Sequence, residues 1–266
     1  MLHVLALLVA TSVDPIVSTE WLQAHLNDPD VRVVDVSDRR TYDRAHIPGA
    51  RYLDHDATLG DDHRLAAANA LARAWAKAGV SDTTHVVIYG DTPMATGWMV
   101  MTLVAIGHGD QVSMLDGSIK LWQAEKRPTS TAVPPPGTGT LTANAQPDVI
   151  VDAAWVKARL KSPAVHVLDV RTTGEWNDGH LPGATLVLWQ DLFADRETLK
   201  FKSRDEIKAL LSKAGVGANQ EVVTYCAVGM RASLMYWVAR AAGVPARVYV
   251  GSWRDWSRDS TNPIVR

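Results

Sequence analysis

Val17 to Val36 reads VSTEWLQAHLNDPDVRVVDV, and Val151 to Val170 reads VDAAWVKARLKSPAVHVLDV. Superposed at an offset of 134, Trp21 meets Trp155, Leu26 meets Leu160, Pro29 meets Pro163 and Asp35 meets Asp169. The register continues through His46-Ile47-Pro48-Gly49-Ala50 over His180-Leu181-Pro182-Gly183-Ala184. It returns at Gly117-Ser118 over Gly251-Ser252 and at Trp122 over Trp256. Solenoid units recur at about 20–50 residues, so this period is a whole small domain written twice. Between the copies, Thr129 to Asp148 (TSTAVPPPGTGTLTANAQPD) is rich in Pro, Gly and Thr and carries neither helical nor strand periodicity. It reads as a linker. The expected division is residues 13–128, a linker at 129–148, and residues 149–266.

Each copy alternates strands and helices. Val31–Val36, Val86–Tyr89 and Val112–Leu115 in the first copy are short, rich in β-branched residues and bounded by turn residues. Val165–Val170, Val222–Tyr225 and Ala246–Val250 match them in the second. All six read as buried strands. Arg64–Lys77 and Ser203–Lys213 show apolar spacing of three and four, and each runs into a Gly stop at Gly79 or Gly215. Ser18 or Thr19 caps the helix that carries Trp21, Leu22 and Leu26. The expected class is α/β, each half a mainly parallel sheet flanked by helices. Ligands of such sheets bind outside the carboxyl ends of the strands.

Composition excludes several functions. Of 266 residues, 47% are hydrophobic and 21% charged, both ordinary for a globular chain. Lys plus Arg is 27 against 29 for Asp plus Glu, a formal net charge of −2, which leaves no electrostatic footprint for nucleic acid. No run of about eighteen apolar residues is present to span a membrane. One cysteine permits no intrachain disulfide, and the nine His show no paired ligand spacing, so no metal site is expected. No dinucleotide or Walker glycine pattern occurs, and no cofactor is expected. Ten Trp stand against two Phe and read as core or cleft wall. The apolar run Val4–Ala10 before Thr11-Ser12 has the length of a signal-peptide core but lacks a basic flank. Signal and first strand are both readings of it, so cytoplasm and periplasm stay open.

The lone thiol is the chemical signal. Cys226 follows the strand Val222–Tyr225 and precedes Ala227-Val228-Gly229-Met230-Arg231-Ala232, where a helix begins within about six residues. A loop running into a helix N-terminus presents unpaired N–H groups and the positive end of the dipole, an environment that favours a thiolate. Gly229 lets the loop curl so that successive amides point inward. Arg231 adds a guanidinium whose fork suits oxyanions. The copies diverge here. Two extra residues between His180 and Cys226 widen the offset to 136, so Tyr225-Cys226 aligns with Tyr89-Gly90, followed by Asp91 with no arginine; at 134, Asp169-Val170-Arg171 aligns with Asp35-Val36-Ser37. One copy holds Cys, Arg and Arg, and the other holds none, which reads as a catalytic copy beside a supporting one. His46 and His180 occur in both copies and therefore read as structural.

These motifs, taken with Gly179-His180-Leu181-Pro182-Gly183-Ala184 and the terminal Gly251-Ser252-Trp253-Arg254-Asp255-Trp256, resemble a tandem-domain rhodanese over nearly the whole chain after Val17. The resemblance implies two rhodanese-like domains, the first inactive and the second catalytic. It also implies a sulfurtransferase in which Cys226 takes a sulfane sulfur from a donor, becomes a persulfide, and passes the sulfur to cyanide, a small thiol or a thiol-bearing protein. Cys226 is then the catalytic residue. Arg231 and Arg171 hold the donor's anionic end, the amides of Ala227, Val228, Gly229, Met230 and Ala232 form an anion hole, and Asp169 orders the loop or the arginines. A doubly anionic thiosulfate gains more from Arg231, the loop's only cation, than a singly charged keto-acid does, so thiosulfate is the expected donor. The alternatives are 3-mercaptopyruvate as donor, or a non-catalytic sulfur-carrier or binding module. Cysteine phosphatases wrap phosphate with a related but longer loop, and the four residues between Cys226 and Arg231 argue against them.

Overall fold

The computed structural model describes residues 13–61 and 64–266, so the apolar run Val4–Ala10 lies outside the described residues. The first copy contributes β1 (Ile16–Val17), β2 (Val31–Asp35), β3 (Arg51–Tyr52), β4 (His85–Tyr89) and β5 (Val112–Leu115), in the order β1-β5-β4-β2-β3. The second contributes β6 (Val165–Asp169), β7 (Thr185–Leu186), a short antiparallel pair β8 (Phe193–Asp195) and β9 (Lys200–Phe201), then β10 (Glu221–Tyr225) and β11 (Ala246–Val248). Its main sheet runs β11-β10-β6-β7. Every pairing within the two main sheets is parallel. The duplication is visible in the register: Ile16 pairs with Met114 and Ile150 with Val248.

The helices are α1 (Thr19–His25), α2 (Arg39–Arg44), α3 (Ala68–Lys77), α4 (Pro93–Ala105), α5 (Ser118–Ala124), α6 (Ala153–Lys157), α7 (Thr173–Asn177), α8 (Arg204–Lys213), α9 (Met230–Ala241) and α10 (Ser252–Trp256). Ser18 caps α1 by accepting the Trp21 N–H at 3.1 Å, and Asp152 does the same for Trp155 at 2.7 Å. The helix expected over Arg64–Lys77 starts only at Ala68. Ahead of it, Leu65 bridges to Leu59 and the Ala66 N–H goes to the Thr58 carbonyl. Those backbone groups already have partners, which holds the segment extended.

Helices α4 and α9, each following the central strand of its sheet, pack against one another at the middle of the molecule. From Ala95 to Ala105 every residue of α4 is buried, as are Ala232 to Ala239 of α9. Polar positions are scarce on both, so neither shows a one-sided stripe. Gly97 permits the approach, because a Cβ on it would fall 2.6 Å from Leu234 Cα. One apolar cluster therefore runs through both copies, from Val34, Trp75 and Trp98 to Leu168, Leu234 and Trp237.

The interdomain stretch Thr129–Asp148 lies along the first copy. Ser130 exchanges backbone hydrogen bonds with His46, Gly139 N–H reaches Ala76 O at 2.9 Å, Thr142 binds the Asp82 carboxylate, and Gln146 N–H reaches Ala105 O at 2.8 Å. The first fold thus continues past residue 128 into the segment that reads as a linker. No helix among the described residues is long and apolar enough to cross a membrane.

Candidate active site

Cys226 stands one residue beyond β10, at the carboxyl edge of the second sheet, and α9 begins four residues later. Three backbone contacts fix the loop. The Cys226 N–H donates to Ser252 Oγ at 3.1 Å. The Trp253 N–H donates to Cys226 O at 2.9 Å, and the Arg254 N–H to Ala227 O at 3.0 Å. Ser252 Oγ lies 4.0 Å from Sγ but only 2.8 Å from Tyr249 O. A hydroxyl donates one proton, and the carbonyl is the closer and stronger acceptor, so Ser252 holds the backbone and not the sulfur.

The sulfur faces the loop. The Gly229 N–H points at Cys226 Sγ at 3.1 Å. The amides of Ala227, Val228, Met230, Arg231 and Ala232 donate to no backbone carbonyl among the described residues, as expected of a first helical turn. Gly229 has φ +99°, and a Cβ there would stand 2.7 Å from Val250 O, so only glycine fits the curl. Cys226 is 1% exposed. The space outside the loop comprises two cavities that meet at Val228 and Arg254, and Cys226 itself lines neither. One of about 270 Å³ is walled by His55, Leu59, Trp98 and Met230. The other, of about 230 Å³, is walled by Arg64, Asp152, Tyr249, Asp255 and Arg258. Residues of the first copy thus form part of both walls.

The two arginines read from sequence as donor-binding are already engaged. Arg171 is 1% exposed. Its Nε lies 2.9 Å from both Asp169 oxygens, and its Nη2 lies 2.6 Å from Asp169 Oδ2 and 2.7 Å from Gly179 O. Its guanidinium carbon sits 4.6 Å from the Trp253 ring. A residue two positions beyond Asp169 folds back onto it as the strand ends, so Arg171 neutralises a buried carboxylate. Tyr225 OH also donates to Asp169 Oδ2 and accepts the Leu181 N–H. Asp169 therefore orders the strand ends beneath the loop. Arg231 reaches Glu175 with both nitrogens, at 2.8 and 2.7 Å. The bond to Glu175 and the neighbouring Cys226 raise its pKa above the ordinary value.

The first copy keeps this framework without the cations. The Ile47 N–H donates to Tyr89 OH, and Ser37 N–H donates to Asp35 Oδ1 at 2.8 Å. Ser37 stands where Arg171 does, so Asp35 Oδ2 has no partner among the described residues, and burial pushes that carboxyl up. His46 and His180 bond the backbone: His46 Nδ1 is 2.9 Å from Tyr42 O and His180 Nδ1 3.2 Å from Trp176 O, with each ring stacked on the neighbouring aromatic.

The Arg231–Glu175 bond has a pH signature. The paired guanidinium, with the Thr172 cap, holds Glu175 down from 4.5 to about 2. A carboxyl depressed on folding stabilises the protein fully above its unfolded pKa, and that contribution is lost as pH falls through the folded value. Thermal midpoints measured between about pH 5 and pH 2 should fall less steeply in Glu175→Gln than in the unaltered protein. Equal acid slopes would remove the pair from the account of stability.

Comparison with known proteins matches residues 18–125 and 152–259 to the family model described as Rhodanese-like domain. The chain is 31% identical to the sulfur carrier protein TtuD of Thermus thermophilus, over 94% of this chain and 96% of that one. It is 28% identical to a thiosulfate sulfurtransferase of Azotobacter vinelandii, over 91% and 94%. The crystal structure of SseA from Escherichia coli, described among 3-mercaptopyruvate sulfotransferases, superposes with a TM-score of 0.80 at 24% identity, covering 91% of this chain and 99% of that one.

Proposed function

The chain belongs to the rhodanese family, and on that premise we propose that it is a sulfurtransferase working through Cys226, with thiosulfate as donor. The observation that carries the reading is the Gly229 N–H aimed at Cys226 Sγ at 3.1 Å, at a strand end where the neighbouring amides lack carbonyl partners. A sulfur held there accepts hydrogen bonds in its anionic form, which is what a thiolate and a persulfide both need.

The steps balance. The Cys226 thiolate attacks the sulfane sulfur of thiosulfate, the bond from that sulfur to the sulfonate sulfur breaks, and sulfite leaves with the electron pair. The persulfide's outer sulfur extends about 2 Å beyond Sγ and carries the negative charge among the loop amides. An acceptor such as cyanide then attacks the outer sulfur, the S–S bond breaks, and the thiolate is regenerated as thiocyanate departs. Donor and acceptor react in turn at one atom, so the kinetics are ping-pong. The second copy is the catalytic one in this scheme. The first supplies Trp98, His55 and Leu59 to the cavity wall and packs α4 against α9.

The test is intact mass after incubation with thiosulfate. A stable gain of one sulfur, about 32 Da, on Cys226, removed by cyanide with release of thiocyanate, supports the reading. A folded protein that gains no sulfur from any sulfane donor would refute it. Comparing kcat/KM for thiosulfate and 3-mercaptopyruvate decides the donor. The similarity to TtuD, named a sulfur carrier protein, favours a second reading of the same chemistry, in which the loaded persulfide is carried and not turned over on a small acceptor.

The first copy is not expected to acquire activity from a thiol alone. At Gly90 a Cβ would meet Val36 Cγ2 at 3.0 Å and Thr96 Oγ1 at 3.1 Å, and the adjacent Asp91 opposes a second negative charge. A Gly90→Cys change made on a Cys226→Ser background should therefore take no sulfur from thiosulfate, again by mass. A stable gain on the new thiol would contradict this.

A further inference from the structure

We propose that Arg254 is the cation that recognises the anionic end of the sulfur donor, a specificity that rests on the sulfurtransferase reading above. The other arginines around the loop are directed elsewhere. Arg171 is closed onto Asp169 and Gly179 O. Arg231 is closed onto Glu175 by two hydrogen bonds. Arg64 reaches Asp255 at 3.3 Å. Arg258 stands only on the wall of the cavity distant from Met230. The Arg254 guanidinium, half-buried, makes no hydrogen bond or ion pair among the described residues, and it alone of these arginines lines both cavities.

Its placement is tied to the nucleophile. The Arg254 N–H donates to Ala227 O, and the preceding N–H donates to Cys226 O, so backbone and loop form one unit. The cavity it shares with Val228 and Met230 is lined also by Trp98 and Leu59, with His55 and Asp56 as its other polar residues. Apolar walls displace water and strengthen a charge-assisted hydrogen bond. The acidic groups nearby have other partners. Asp255 accepts from Arg64 and from Tyr249 OH, Asp152 caps α6, and Asp56 lies 3.2 Å from His55 Nε2. A small donor carrying a sulfonate or carboxylate would meet the planar fork of Arg254 with its oxygens and present its sulfane sulfur toward the loop.

The test uses Arg254→Gln and Arg254→Lys in the full chain, with thiosulfate and an uncharged dialkyl trisulfide as alternative donors. Arg254→Gln should raise KM for thiosulfate roughly 10- to 100-fold, the range for losing a hydrogen bond to a charged group. It should leave kcat within about twofold and should not change the rate at which Cys226 displaces an alkylthiolate from the trisulfide to form the mixed trisulfide, and Arg254→Lys should recover part of the loss. An unchanged KM, or equal losses with both donors, overturns the assignment. Calorimetric binding of thiosulfate to Cys226→Ser, with and without Arg254→Gln, separates the two claims. Arg254-dependent binding, together with no sulfur uptake by the protein that retains Cys226, would overturn the transfer reading and uphold the assignment. Arg254-independent binding would overturn the assignment even if transfer proceeds.

Discussion

Cys226→Ser is expected to lower sulfur transfer by about four orders of magnitude or more while the fold persists. The exchange places a hydroxyl where the buried thiol accepts the Gly229 N–H, and oxygen accepts that hydrogen bond at least as well. The loop's other anchors, to Ser252, Trp253 and Arg254, involve only the backbone of residues 226 and 227 and are untouched. What disappears is a polarisable anion able to form and release an S–S bond, for which a serine hydroxyl has no equivalent. Intact mass with thiosulfate, stopped-assay thiocyanate and a thermal melt read all three consequences. A variant that still gains a sulfur would move the chemistry away from this loop, and one that unfolds would make the thiol a structural group.

The second large effect lies away from the sulfur. Gly97→Val should destabilise the protein by about 3 kcal/mol, the upper end of what overpacking costs, and depress activity with it. Glycine within a helix is unfavourable by up to about 1 kcal/mol relative to alanine, so its presence in the middle of α4 calls for a packing reason. The first atoms a Cβ would meet are Leu234 Cα at 2.6 Å and Leu234 N at 2.7 Å. Both belong to a helix backbone, so no side chain can rotate away. The remaining response is separation of α4 from α9, whose first turn is the wall of the cysteine loop. A displacement of about 1 Å at a reacting centre can cost a hundredfold in rate. A thermal midpoint lowered by roughly 6–12 °C is the expected readout. A change under about 2 °C would mean that the two helices have slack, contrary to the distances.

Much of this architecture was legible because the chain states it twice. The six strands appear where short β-branched runs predict them, since a strand buried on both faces needs little beyond such a run and its bounding turns. The cysteine's position at a strand end followed from Val222–Tyr225 and Gly229 alone. The arginines were not legible. Arg231 and Glu175 lie 56 residues apart, and nothing local announces their pairing. Arg171 faces Asp169 because the chain leaves the sheet between them, a turn that residue identities do not specify. Arg254 arrives at the loop through backbone hydrogen bonds, which leave no mark on composition. The Arg64–Ala67 stretch misled in the other direction. Its apolar spacing suits a helix, yet tertiary pairing with Leu59 and Thr58 overrides that preference.

The greasy circumference of α4 and α9 constrains what evolution can do with the duplication. Were the gene truncated to its later half, the face of α9 that packs on α4 around Leu234 would meet water, a liability for aggregation. The copy that lacks the thiol is therefore not free to decay, whatever chemistry it has or lacks. Loss of its helix would strip the cover from its neighbour, so one twin persists as the other's solubilising coat.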